Sequence, residues 1–169
     1  MSLYLRLMYF AGIRHGVLGP KLRYKDFISG TNMQEKFNCR QKLIENENSI
    51  PLYLTHHSHQ HSREEINILS GFSLGITDKF IIYKLFSTRA VFTTKNKFFY
   101  VHALGDPFDL LVDEIPCLVK TTILPFLGKI VYDGFLEPFN IEFGPNILHS
   151  LRVEWKEAKE KGIVIKKII

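Results

Sequence analysis

Three runs rich in β-branched and aromatic residues follow one another at strand length: Phe80-Ile-Ile-Tyr-Lys-Leu-Phe86, Ala90-Val-Phe-Thr93 and Lys97-Phe-Phe-Tyr-Val-His-Ala-Leu104. Residues of these types fit a pleated, half-buried surface. The last two runs are joined by Thr94-Lys95-Asn96, short enough for a hairpin. Two further strands are expected over residues 117–124 and 129–132, around Pro125-Phe-Leu-Gly128, where proline presets φ at turn position i+1 and glycine follows at i+3. Beyond the turn pair Asp133-Gly134, the residues Phe135, Phe139, Ile141 and Phe143 recur at even spacing and share one face of an extended segment. Pro138 lacks a ladder donor and makes that segment an edge or bulged strand. The apolar tail, residues 163–169, reads as a strand that pairs into the sheet or leaves an exposed end.

Helical signals flank these strands. Ser62-Arg-Glu-Glu65 is a capping box opening a helix through Ser70, with Gly71 and Gly75 ending it. Asp106-Pro107 reads as a second start, with Phe108, Leu111, Val112 and Ile115 at positions i, i+3, i+4 and i+7 before Pro116. Gly144-Pro145 opens the longest helix, to about Lys161. Its stripe is Ile147, Leu148, Leu151, Trp155 and Ala158, and Lys156 with Glu160 and Glu157 with Lys161 pair on its solvated face before Gly162. Strands in succession with helices at either side indicate an α+β fold: a curved, mainly antiparallel sheet of about five to seven strands, open or closed as a small barrel, with flanking helices.

The front of the chain patterns less clearly. Leu3, Leu7 and Phe10 have helical spacing, which Gly12, Gly16, Gly19 and Pro20 interrupt, and Phe27, Phe37, Leu43 and Ile44 support one further short helix. Residues 45–51 and the histidine-rich stretch after Tyr53 read as loops. The expected division is a loosely patterned helical and loop segment, residues 1–61, followed by a compact α+β module, residues 62–169.

The chain has 169 residues, enough for one domain or one domain with an appendage. Lys and Arg number 22 against 17 Asp and Glu. The excess lies in residues 1–61, where Arg14, Lys21, Arg23 and Lys25 are candidates to meet the phosphates of a nucleic acid. A solvated basic face is the commoner use of such residues. Cys39 and Cys117 are far apart and no export signal precedes them, so a reducing, cytoplasmic setting is expected. No run approaches the roughly 20 apolar residues of a membrane span.

Two constellations carry possible chemistry. His56-His57-Ser58-His59-Gln60-His61 concentrates imidazoles, good ligands for a divalent transition metal such as Zn; a solvated histidine-rich loop is the alternative, because no CxxC or HExxH spacing supplies partners. His102, with Asp106 or Asp133, offers a histidine and carboxylate pair for general acid-base work, as in a hydrolase-like enzyme, although a histidine satisfied within the sheet is commoner. GxSxG, GxGxxG and GxxxxGK[ST] are all missing. Phe98, Phe99 and Tyr100 alternate between sheet faces and offer a stacking surface beside Lys95 or Lys97.

The segment Val119-Lys-Thr-Thr-Ile-Leu-Pro-Phe-Leu-Gly-Lys-Ile-Val-Tyr-Asp-Gly134 resembles a block seen in uncharacterised bacterial proteins with TTxLPFxGKIxYDG-like sequences. The resemblance spans residues 80–165 and implies no activity. A binding or interaction module, with a homodimer or a protein partner, is therefore the leading expectation, ahead of the metal-assisted hydrolase and the nucleic-acid binder.

Overall fold

The computed structural model describes residues 2–169, which divide after Ser73 into two compact units. The first unit is helical: α1 (Ser2–Arg14), α2 (Tyr24–Gly30), α3 (Met33–Glu45), α4 (Ser49–His57) and α5 (Arg63–Gly71). α5 carries the expected capping box, with the Ser62 hydroxyl accepting from the Glu65 amide at 3.2 Å and the Glu65 carboxylate accepting from the Ser62 amide at 2.8 Å. It packs on α4 and α1, so it belongs to the first unit, and the division comes after it rather than near residue 61.

Three readings of this front region need correction. α1 does not stop at Gly12; it runs to Arg14, and Gly16 turns the chain at φ +71°. Gly12 instead permits the close approach of α3, because a Cβ there would collide with Cys39 Sγ and the Leu18 side chain. The loop expected over residues 45–51 shrinks to the turn before Ser49, since Pro51 sits in the first turn of α4, where its missing N–H costs nothing. The histidine stretch is not a loop either: it is the end of α4 followed by a 3-10 turn, Ser58–Gln60.

The second unit is a closed five-stranded barrel with an extra strand. Its strands are β1 (Ile76–Phe86), β2 (Arg89–Thr94), β3 (Lys97–His102), β4 (Cys117–Phe126), β5 (Lys129–Tyr132) and β6 (Glu137–Phe139). The order β1-β2-β3-β5-β4 closes through a β1–β4 pairing. β1 is long enough to serve both neighbours, pairing with β4 over Ile76 to Ile82 and with β2 from Ile81 to Phe86, and an irregularity between Ile82 and Lys84 bends it from one to the other. Of the paired strands among the described residues, β3 and β5 alone run parallel. β6 pairs with β4 alone, so Pro138 sits on an edge strand, as its missing donor requires.

Inward-facing residues alternate along the strands to fill the barrel with Phe80, Ile82, Phe92, Phe99, Val101, Val119, Ile123 and Ile130. The β2–β3 turn is Lys95-Asn96, both with positive φ, which matches the right-handed twist of its strands. The β4–β5 turn differs from expectation. Pro125 stays in β4, opposite Ile130, and the reversal falls on Leu127-Gly128, again with both φ positive.

The helix expected after Asp106-Pro107 is replaced by a single 3-10 turn, Phe108–Leu110. Phe108 alone is deeply buried, seated against Phe92 and Tyr132 at centroid distances of 5.4 and 5.2 Å, whereas Leu110, Leu111 and Ile115 stay exposed. A helix so short has too few hydrogen bonds to persist without a packed face.

The last helix, α6 (Pro145–Glu160), lies on the outer face of β2 and β3, where Trp155 and Ala158 cover Val91 and Phe98. Ile147 at its start is exposed and stands outside that contact. The two anticipated pairs form, Lys161 to Glu157 at 2.9 Å and Lys156 to Glu160 at 3.9 Å, and Gly162 reverses the chain at φ +66°. The tail then docks along β3: the Tyr100 amide donates to the Ile165 carbonyl at 2.9 Å and the Ile165 amide to the Phe98 carbonyl at 2.8 Å.

Candidate functional site

The outward side chains of β2 and β3 form a face of two halves. Cross-strand partners Arg89 and His102, Val91 and Tyr100, and Thr93 and Phe98 share it by strand alternation. α6 closes one half, with the Trp155 ring 5.4 Å from Phe98. The other half is open. There the β1–β2 turn brings Phe86 and Arg89 beside Tyr100, and the parallel pairing of β3 with β5 sets Lys129 next to the same row.

Arg89 is the centre of this open end. Its guanidinium lies 4.1 Å from the Tyr100 ring centroid and 5.5 Å from that of Phe86, and the two rings meet edge to face at 6.2 Å. Among the described residues no carboxylate pairs with it. A guanidinium resting on an aromatic ring with no carboxylate partner keeps N–H groups for an incoming acceptor, as phosphate recognition by arginine requires. Two more cation and ring pairs adjoin the patch, Lys84 over Tyr83 at 5.7 Å and Lys159 over Trp155 at 5.6 Å.

His102 belongs to this patch and is not joined to an acid. Its imidazole is held below the ordinary histidine range by burial first, then by the positive charges of Lys129 and Arg89, against the Thr88 backbone acceptor. No ion pair links it to Asp106 or Asp133 among the described residues. Asp133 is buried, and its Oδ1 accepts from the Thr121 hydroxyl at 3.4 Å and the Phe135 amide at 3.2 Å. Asp106 is exposed. The two carboxylates act on Tyr132, whose phenol is raised chiefly by burial and then by their charges. A neutral imidazole among cations can donate to or accept from a ligand, but it lacks the carboxylate that would orient it as a general base.

The four histidines of the anticipated metal site are spread over the end of α4, the 3-10 turn and the residue that follows it. His61 is buried, with Nε2 2.8 Å from the Tyr53 hydroxyl and Nδ1 3.8 Å from the Glu65 carboxylate. His57 packs against Tyr53 and Phe10 at 4.8 and 5.7 Å, while His56 and His59 are exposed. Among the described residues no group of three or more His, Cys, Asp or Glu side chains could hold a metal ion.

The basic residues of the first third differ in their surroundings. Arg23 donates to both oxygens of Asp26, at 2.7 and 3.2 Å, and Lys21 lines a cleft that also carries Asp26 and Glu35. Arg14 ends α1 and Lys25 lies in α2, both exposed. The anticipated stacking surface is likewise redistributed: Phe98 is under Trp155, Phe99 is in the barrel core, and Lys95 pairs with Asp78 at 2.8 Å. Tyr100, two residues along the strand from Phe98, is half-buried between Trp155 and Phe86 at 6.0 and 6.2 Å.

Sequence reasoning overlooked Phe86, Arg89 and Lys129. One local signal existed, an aromatic and an arginine bracketing Ser87-Thr88 between two strand runs.

No family model, curated protein or solved structure matches the chain. No helix among the described residues is long and apolar enough to cross a membrane.

Proposed function

We propose that the barrel binds single-stranded nucleic acid on the open half of its β2–β3 outer face. Arg89 and Lys129 take phosphates, Phe86 and Tyr100 offer rings to bases, and His102 supplies a neutral hydrogen-bonding group. The observation that carries this reading is the Arg89 guanidinium, set over the Tyr100 ring and beside Phe86 with no carboxylate partner. Barrels that track single strands combine cationic side chains with stacking rings in this way. The topology gives separate support: a five-stranded Greek-key barrel of the OB type uses its strand 2 and 3 face, with the β1–β2 and β4–β5 loops, for oligonucleotides. Phe86 and Arg89 flank the first of those loops here, and Lys129 follows the second.

The test is fluorescence anisotropy with a labelled oligothymidylate of about 12 nucleotides, a length within the range one such barrel contacts. Engagement of about two to four phosphates gives a log–log salt slope between about −1.4 and −2.8. Phe86→Ala is expected to cost about 1–3 kcal/mol of binding, the usual loss of one stacked base. Arg89→Gln lowers both affinity and slope. Equal affinity in wild type and Arg89→Gln, or no saturable binding at low salt, refutes the reading.

A further inference from the structure

The helical unit contains a cavity of about 350 Å³ formed by α1, α2, α4 and the 3-10 turn after α4. Rings make most of its wall: Tyr9 and Phe10 from α1, Tyr24 from α2, and Tyr53 and His57 from α4. They brace one another, Tyr9 against Tyr24 at 5.4 Å and Phe10 against Tyr53 at 5.4 Å, both edge to face. Each of the three tyrosine hydroxyls is already committed, that of Tyr24 donating to the Ser2 carbonyl at 3.3 Å. Tyr9 donates to the Leu22 carbonyl at 2.6 Å, and the Tyr53 hydroxyl bonds the His61 Nε2 at 2.8 Å. Both phenols are therefore fixed in orientation, and what they present to the cavity is mainly π surface.

One cation completes the wall. Arg6, itself solvent-exposed, lies with its guanidinium carbon 4.9 Å from the Tyr24 centroid. It also interacts with the Tyr53 hydroxyl across the cavity and with the charge of Glu65, whose carboxylate accepts the Ser62 amide in the capping box. Aromatic cages that take quaternary ammonium ligands use their negative ring faces for the ligand's charge. Here a resident arginine already occupies one such face, so a cationic ligand would meet repulsion and an anion attraction. The volume lies within the range of small-molecule sites, and a wall of rings with a single charged group fixes both ligand shape and ligand sign.

We propose that this cavity binds a small planar aromatic carboxylate, its ring system between the Tyr24 and Tyr53 sides and its carboxylate on Arg6. The site is separate from the barrel face and does not rest on nucleic-acid binding. The test uses the full chain and 2-naphthoate, titrated by calorimetry, with 2-naphthamide and benzyltrimethylammonium as neutral and cationic comparators. Expected is saturable 1:1 binding of 2-naphthoate that is about tenfold weaker in Arg6→Gln, a loss on the scale of one charge-assisted hydrogen bond, and largely kept in Arg6→Lys. Because Arg6 is exposed, both variants should retain the wild-type far-ultraviolet circular dichroism, and Tyr24→Leu separately tests the ring wall by weakening binding with Arg6 in place. Absence of saturable binding overturns the proposal, as does equal affinity of wild type and Arg6→Gln, or tighter binding of the ammonium than of the carboxylate.

Discussion

Replacing Trp155 by alanine tests how α6 is held on the barrel. The side chain is 3% exposed and meets Phe98, Tyr100 and Tyr83 at centroid distances of 5.4, 6.0 and 6.4 Å. A buried tryptophan removes about 200 Å² from water, worth about 5 kcal/mol at about 25 cal/mol per Å². Alanine retains about a third of that, and the vacated space adds a cavity cost, so the expected loss is about 3–5 kcal/mol. For a unit the size of the barrel, residues 74–169, that corresponds to a fall in Tm of at least about 12 °C. Differential scanning calorimetry should show the shift in the transition of the barrel unit, and Trp155→Phe, which keeps a ring against Phe98, should recover most of it. A Trp155→Ala loss below about 1 kcal/mol would mean that α6 does not rest on this contact.

Three further outcomes follow from the same geometry. Asp78 is held below the ordinary aspartate value of 3.8, first by its bond to Lys95 and also by the Lys79 amide and Thr94 hydroxyl. A depressed folded-state pKa contributes stability that is full above the ordinary value and lost as pH falls through the lowered one. Asp78→Asn should therefore flatten the acid side of a plot of stability against pH between about pH 5 and pH 2, and an unchanged acid limb would show that the bond contributes nothing. Deleting residues 163–169 removes two backbone bonds to β3 and the packing of Ile165 and Ile168, and should cost about 2–5 kcal/mol by urea denaturation. An unchanged midpoint would show that the tail is not docked. The Cys39 thiol is buried between α1 and α3 and pushed up to about 11 by burial and then by Glu35, so it should react with an aromatic disulfide reagent only on unfolding. Rapid labelling of Cys39 in the native protein would contradict its burial.

The strands were legible because their signal is local. Alternation and β-branched content mark β1 to β5 without reference to anything distant. Closure is another matter, since it depends on β3 lying beside β5 in parallel and on β1 reaching β4, pairings between residues about 30 to 45 apart in sequence. The segment after Pro107 shows the limit of periodicity: apolar residues at helical spacing formed no helix, because Phe108 and, in part, Val112 reach the barrel while Leu111 and Ile115 are left in solvent. The histidine stretch misled in a similar way. Its composition suggested a metal loop, whereas the rings of His57 and His61 are spent on Tyr53.

The candidate site was half legible. His102 was visible as an unusual residue in an apolar run, and Tyr100 as a possible stacking ring. Its real neighbours were not, because Arg89 comes opposite His102 only through hairpin register and Lys129 only through the parallel pairing with β5. Burial and then those cations set it in a basic, aromatic patch, with its imidazole held below the ordinary histidine range, instead of beside aspartates. The excess positive charge of residues 1–61 pointed elsewhere, to side chains that include Arg23, which is neutralised by Asp26.

The most direct test of the barrel-face assignment is a residue-by-residue map. Isotope-labelled protein titrated with the same oligothymidylate should shift backbone amides of residues 86–89, 98–102 and 127–131 while leaving Arg14, Lys21, Arg23 and Lys25 unmoved. Shifts confined to those four basic positions, or no shifts at low salt, would contradict the account.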